Sequence, residues 1–162
     1  MSRYTFLAFF DNECIYAIIR TMAKIVVIDT SIMVSALIGV KGPSREVLRK
    51  CLRGEYKPLI SNALFQEFED VCQRKRIRDK SPLTDTEVRE LLNAFYSVCS
   101  WIPIYYLWRP NVADEADNFL IELGLAGNAT HIITNNISDL RNSELNFPEL
   151  TILKPEQMLR GE

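Results

Sequence analysis

K-I-V-V-I-D-T-S, residues 24–31, decides how the rest of the chain is read. After Lys24 comes an unbroken apolar, β-branched run, and a carboxylate, Asp29, closes it. A half-buried strand would alternate apolar with polar residues. A continuous run instead suits a strand covered on both faces, as in parallel sheets flanked by helices. Beyond it, residues 30–37 can form a helix at once and residues 43–53 a second, with Pro43 suited to a first turn and Gly54 to a stop. Residues 57–60 read as another short strand. Ser61 then N-caps a helix to about residue 76, with the apolar stripe Leu64, Phe65, Phe68, Val71 and Cys72. T-D-T-E at 84–87 has capping-box spacing and opens a helix to residue 99, with Val88, Leu91, Leu92 and Phe95 on one face. Residues 101–106, aromatic and β-branched, read as strand, 114–124 as helix, 131–134 and 151–154 as strands, and 155–159 as a closing helical turn. Strands alternating with helices, with few hairpin signals between them, predict an α/β fold: a three-layer α/β/α sandwich around a central parallel sheet.

Bulk properties narrow the function. The 162 residues, 48% of them hydrophobic, suffice for one domain with a substantial core. A net charge of −2 excludes a uniformly basic coat, so a polyanion would have to be met locally. Cys14, Cys51, Cys72 and Cys99 are widely spaced and His131 is the sole histidine, which argues against a cysteine–histidine zinc site and for reduced thiols. His131, just before Ile132 and Ile133, reads as a strand-edge or core residue. F-L-A-F-F at 6–10 is interrupted by Asp11 and Glu13 before it reaches a secretory or membrane-spanning length. The expectation is a cytoplasmic protein with no membrane association. M-A-K at 22–24 looks like a natural start, so residues 1–21 read as an N-terminal extension, helical or poorly ordered, and residues 22–162 as the folded domain.

In a parallel α/β sheet, the residue ending each strand and the first turn of the following helix share the edge at which ligands bind. Asp29 ends the first strand, and Glu67 lies in the second turn of the helix after the second. Glu69 flanks the other side of that helix's stripe, and periodicity does not choose between them. Asp114 and Asp117 open the helix after the aromatic strand, and Asn136 and Asp139 follow the strand at 131–134. Carboxylates crowded together resist ionisation unless a cation offsets them, so such a cluster implies metal. Oxygen-only ligands favour Mg²⁺ or Mn²⁺ over Zn²⁺. Two such ions roughly 3.5–4 Å apart can activate a water and clamp a scissile phosphate, which points to phosphodiester hydrolysis. Each residue also has a plainer role: Asp29 as a helix cap, Glu67 on a solvated face, Asp114 and Asp117 at the positive end of a helix dipole. The case rests on their convergence.

Those stretches also carry a resemblance. K-I-V-V-I-D-T-S at 24–31, S-N-A-L-F-Q-E-F at 61–68, W-R-P-N-V-A-D-E-A-D-N at 108–118 and I-I-T-N-N-I-S-D-L at 132–140, in this order and at these separations, resemble the PIN-domain family. The likeness spans residues 24–159 and is strongest to the family's bacterial toxin components of toxin–antitoxin pairs. It implies a small α/β/α domain acting as a Mg²⁺- or Mn²⁺-dependent endoribonuclease on RNA. Asp29, Glu67 and Asp117 would then match the acidic catalytic, metal-binding positions, with Asp114 a near neighbour and Glu67 preferred over Glu69. Thr30 or Ser31 would orient Asp29 by hydrogen bonding, with Thr134 in the same supporting shell. The resemblance further implies a homodimer and an antitoxin partner that blocks the site. One departure matters: the family commonly has an aspartate at the place of Asn136, and the nearby carboxylate here is Asp139. A single metal, recruitment of Asp139 and lowered activity all stay open.

Two rivals stand beside this reading. One is a catalytically weak or inactive PIN-like module that binds RNA or protein. The other is a phosphatase with Asp29 as phosphoacceptor, disfavoured because Ser31 stands where a second aspartate would be expected. For RNA contact, basic residues collect at Arg45, Arg49, Lys50, Arg53 and Lys57, and again at Arg74, Lys75, Arg76, Arg78 and Lys80. The second group follows the helix of Glu67, and Arg74, Lys75, Arg76 and Arg78 are the expected RNA-binding residues. The plainer alternative is a set of solvated helix faces. Tyr106 and Trp108 could stack on unpaired bases.

Overall fold

The computed structural model describes residues 23–105, 118–141 and 147–161, without the side chains of Asn118, Asp139 and Arg141. These residues form strands β1 (Lys24–Ile28), β2 (Tyr56–Ile60), β3 (Ser100–Trp101), β4 (His131–Ile133) and β5 (Thr151–Leu153). The strands make one sheet in the order β3-β2-β1-β4-β5, and every pairing is parallel. Helices α1 (Thr30–Ile38) and α2 (Pro43–Leu52) connect β1 to β2. Helices α3 (Asn62–Gln73), α4 (Lys75–Arg78) and α5 (Asp85–Val98) connect β2 to β3. Helix α6 (Asn118–Ala126) precedes β4, α7 (Ile137–Arg141) precedes β5, and α8 (Pro155–Arg160) closes the chain.

The strand order explains the opening motif. β1 is the middle strand, and Val26, Val27 and Ile28 are at most 1% exposed because helices cover both faces of the sheet. From β1 the chain moves outward to β2 and β3, then returns across the sheet to β4 and β5. Right-handed crossovers put these two halves of the helical cover on opposite faces, giving the three-layer sandwich. The connections after β1 and β4 therefore leave in opposite directions, and a crevice opens between the carboxyl ends of these neighbours.

Local signals behave as their chemistry requires. Pro43 occupies the first turn of α2. Ser61 caps α3 by accepting from Leu64 N at 3.3 Å, and Thr84 with Glu87 completes a capping box on α5. His131 stands at the amino end of β4, paired with Val26, and burial lowers its pKa. Burial likewise raises the thiols of Cys72 to about 11 and Cys99 to about 12, so both stay protonated at neutral pH. Among the described residues no helix is long and apolar enough to cross a membrane.

Two expectations are corrected, and one helix is added. The strand over residues 101–106 is confined to Ser100–Trp101, with residues 102–105 irregular. Pro103 has no N–H to give a ladder and ends the pairing. Pro58 sits inside β2 without harm because β3 reaches only Leu59 and Ile60, so the proline lies beyond that ladder. The helix expected to run to about residue 76 stops at Gln73; Arg74 is extended, at φ −60° and ψ 127°, before the short α4. The break carries Ile77 into the core, where it is 5% exposed. The helix α7 was not expected at all, since residues 137–141 are too few to show periodicity.

Candidate active site

Asp29 follows β1 and occupies the N-cap position of α1, yet its side chain makes no capping bond. The plainer role anticipated for it is thus not the one it has. Its carboxylate is buried and accepts two hydroxyl hydrogen bonds at the same oxygen, Oδ2, from Ser31 Oγ at 2.5 Å and from Thr134 Oγ1 at 2.6 Å. Each hydroxyl is itself oriented by a backbone N–H of the turn after β4. Asn136 N donates to Thr134 Oγ1 at 2.9 Å, and Asn135 N donates to Ser31 Oγ at 3.1 Å. A hydroxyl that already accepts turns its own hydrogen elsewhere, here toward Asp29. The pair therefore fixes the carboxylate and leaves Oδ1 for a ligand.

Asn135 was not singled out by its sequence. Its Nδ2 donates to Ser31 O at 3.2 Å and Ser35 Oγ at 2.9 Å, which ties the turn after β4 to α1. Asparagine in a turn has too many ordinary uses for its identity alone to mark it.

Glu67 reaches the same crevice from the second turn of α3. A polar cleft of about 130 Å³ is lined by Asp29, Thr30, Ser31, Glu67, Thr134 and Asn136, with Leu120 and Leu140 as its apolar wall. Glu67 Oε2 and Thr30 Oγ1 are both buried without a hydrogen-bond partner. Burial is the main reason the Glu67 carboxyl is raised above its usual pKa. The Thr30 hydroxyl nearby offsets part of this without reaching hydrogen-bonding geometry, the charge of Asp29 adds to the rise, and Arg74 opposes it. An unpaired buried carboxylate oxygen is costly unless something absent from the protein meets it. Two carboxylates and a hydroxyl, all hard oxygen donors, fit a small divalent cation such as Mg²⁺ or Mn²⁺.

Glu69 is placed quite differently. Arg89 grips it bidentately, at 2.9 and 2.8 Å, and Tyr96 Oη donates to it at 2.8 Å, away from the cleft. Asp114 and Asp117 lie outside the described residues, as do Tyr106 and Trp108, and the side chain of Asp139 is likewise not described. Among the described residues, no three of His, Cys, Asp and Glu gather to hold a metal. Of the cations expected to meet RNA, Arg74 pairs with Asp70 at 2.7 Å and Arg78 pairs with Asp85, while Lys75 and Arg76 are exposed. Four residues of the earlier basic group serve the fold: Arg45 donates to Ala36 O and Val40 O, Arg49 and Arg53 pair with Glu46, and Lys50 pairs with Glu55.

Residues 25–138 match the family described as PIN domain. No curated protein sequence matches the chain. Among solved structures, the chain is similar to one in the crystal structure of VapBC2 from Rickettsia felis bound to a DNA fragment from their promoter. The TM-score is 0.53 over 80% of this chain and 98% of the other, at 18% identity, which is a likeness of fold.

Proposed function

Because the chain belongs to the PIN domain family, we propose that it is a metal-dependent endoribonuclease that hydrolyses RNA phosphodiester bonds, the toxin of a toxin–antitoxin pair. One observation carries the reading: two buried oxygens without partners, Glu67 Oε2 and Thr30 Oγ1, face a polar cleft shared with Asp29 at the carboxyl edge of the sheet. Asp29 and Glu67 would hold Mg²⁺ or Mn²⁺, with Asn136 in the lining of the same cleft and Asp117, Asp114 and Asp139 as the further carboxylates. A bound divalent ion supplies the positive charge that draws in a phosphate and makes a water a better nucleophile. The protein's own part is to hold its ligands still. Ser31 and Thr134 lock Asp29 through Oδ2, and Leu120 and Leu140 keep water from one side of the cleft. Lys75 and Arg76, exposed just past α3, are suited to drawing the RNA backbone toward an otherwise negative site.

The likeness to VapBC2 supports a partner protein of the antitoxin kind; a homodimer is implied by the family resemblance alone. Asn136 favours a second reading, a weakly active or inactive module that binds RNA or protein, since a neutral amide balances less cation charge than an aspartate. Cleavage of a labelled single-stranded RNA with Mn²⁺, with and without a chelator, separates the two. The parent is expected to cut, and chelation or Asp29→Asn to abolish cutting. Undiminished cleavage by Asp29→Asn would remove Asp29 from the site, and no cleavage with any divalent metal would leave the binding module.

A further inference from the structure

An aromatic column runs from the core to the surface on the Glu69 side of α3. Phe68 and Phe95 are buried at its base, with ring centroids 5.9 Å apart. Phe95 leads to Tyr96 at 6.4 Å, Tyr96 to Phe65 at 4.9 Å, and Phe65 to Trp101 at 5.3 Å. Tyr96 is held by its bond to Glu69, which Arg89 grips in turn. The column ends in the open, because Trp101 is 50% exposed and Tyr105, four residues on, is 82% exposed. A large ring fixed from behind and left half in water is an unused stacking face.

Its place in the sheet says what would use it. Trp101 is level with Ile60 in the register, and Leu59, one residue earlier, is level with Val27. Trp101 therefore stands at the height of Ile28, the residue before Asp29. It is two strands away along the same edge, about 10 Å at the usual strand spacing. The helix α3 stands between the two places, with Phe65 under Trp101 on one side and Glu67 in the cleft on the other, so a strand joining them passes over the amino end of α3 at that edge.

We propose that Trp101, backed by Phe65, is a stacking platform for an unpaired base of the RNA strand whose phosphodiester lies in the Asp29–Glu67 cleft. This rests on the nuclease reading for its ligand but not for its test. A paired base has no free face to offer, so the platform selects single-stranded RNA. It also accepts any base, since every base has a π-face, and so contributes binding without sequence preference.

The chain has two tryptophans, Trp101 and Trp108, so in Trp108→Phe the emission of Trp101 reports alone. A short single-stranded oligoribonucleotide, titrated in chelator to prevent cleavage, should quench that emission to saturation. The same sugar–phosphate strand with abasic positions should not. Trp101→Ala should weaken binding about five- to a hundredfold and raise KM rather than lower kcat, while Trp101→Phe should keep most of the affinity. Circular dichroism of both variants checks folding. Quenching without cleavage by the parent would keep the platform and discard the nuclease. Cleavage with no quenching, or with KM unchanged in Trp101→Ala, would do the reverse. If Trp101→Ala instead dissociates a dimer and leaves RNA affinity intact, the ring is a subunit contact and the proposal is overturned.

Discussion

Glu67 and Glu69 leave the same helix two residues apart and meet opposite surroundings. Glu69 is saturated, with both oxygens taken by Arg89, one of them also by Tyr96, and these bonds hold its carboxyl below the usual range. Glu67 is half-buried with Oε2 unpartnered, and burial holds its carboxyl above the usual range. A carboxylate whose partners are all in the chain is finished when the chain folds. One that is buried and unfinished costs free energy unless a ligand completes it. The difference between the two glutamates is thus a physical mark of which carboxylate of α3 the fold completes and which it leaves open.

The comparison breaks most sharply on activity. With Mn²⁺ and labelled RNA, Glu67→Gln is expected to lower cleavage about a hundredfold or more, as loss of a charge aimed at the reacting phosphate does. Glu69→Gln should stay within about threefold. Equal losses in the two variants would mean that both act through stability alone. A smaller effect is expected one step back from the site. Thr134→Val keeps the volume of this fully buried side chain but removes its bond to Asp29 Oδ2. Mn²⁺ should bind about ten- to a hundredfold more weakly, the usual cost of a lost partner behind a metal ligand. Unchanged Mn²⁺ affinity would show that Ser31 alone holds the carboxylate.

How far the sequence could reach follows from the same pair. The buried central strand was plain, because a continuous β-branched run ending in Asp29 suits little but a strand covered on both faces. The choice of Glu67 over Glu69 was not, since both flank the stripe of α3 and periodicity treats them alike. What separates them in space is Arg89 and Tyr96, which come from another helix. The aromatic pattern of residues 101–106 speaks for a longer strand, but Pro103 cuts β3 off after Trp101. The break at Arg74 has no local breaker residue and follows from packing, through Ile77. Asn135 was invisible because its role depends on Ser31 and Ser35 in α1, about a hundred residues earlier in the chain.

The smallest effect is the most diagnostic, because the two glutamates should push stability in opposite directions with pH when metal is chelated. The Glu69 carboxyl is depressed on folding. Its contribution is therefore present above the unfolded carboxylate value, about pH 4.3, and is lost as pH falls through the lower folded value. Glu69→Gln should then cost about 1 kcal/mol at neutral pH, discounted because Arg89 is 44% exposed, and the deficit should shrink in acid. The Glu67 carboxyl is raised on folding. Its contribution is full below the unfolded value and is lost as pH rises through the higher folded value, since ionising it leaves a buried charge unmet. Glu67→Gln should accordingly equal or exceed the parent in stability at neutral pH, and that advantage should fade toward acid. Urea unfolding of the three proteins from about pH 4 to neutrality reads both slopes. Destabilisation by both variants with the same trend would mean that Glu67 has a partner of its own, and the cleft would then have no unfinished carboxylate to offer a metal.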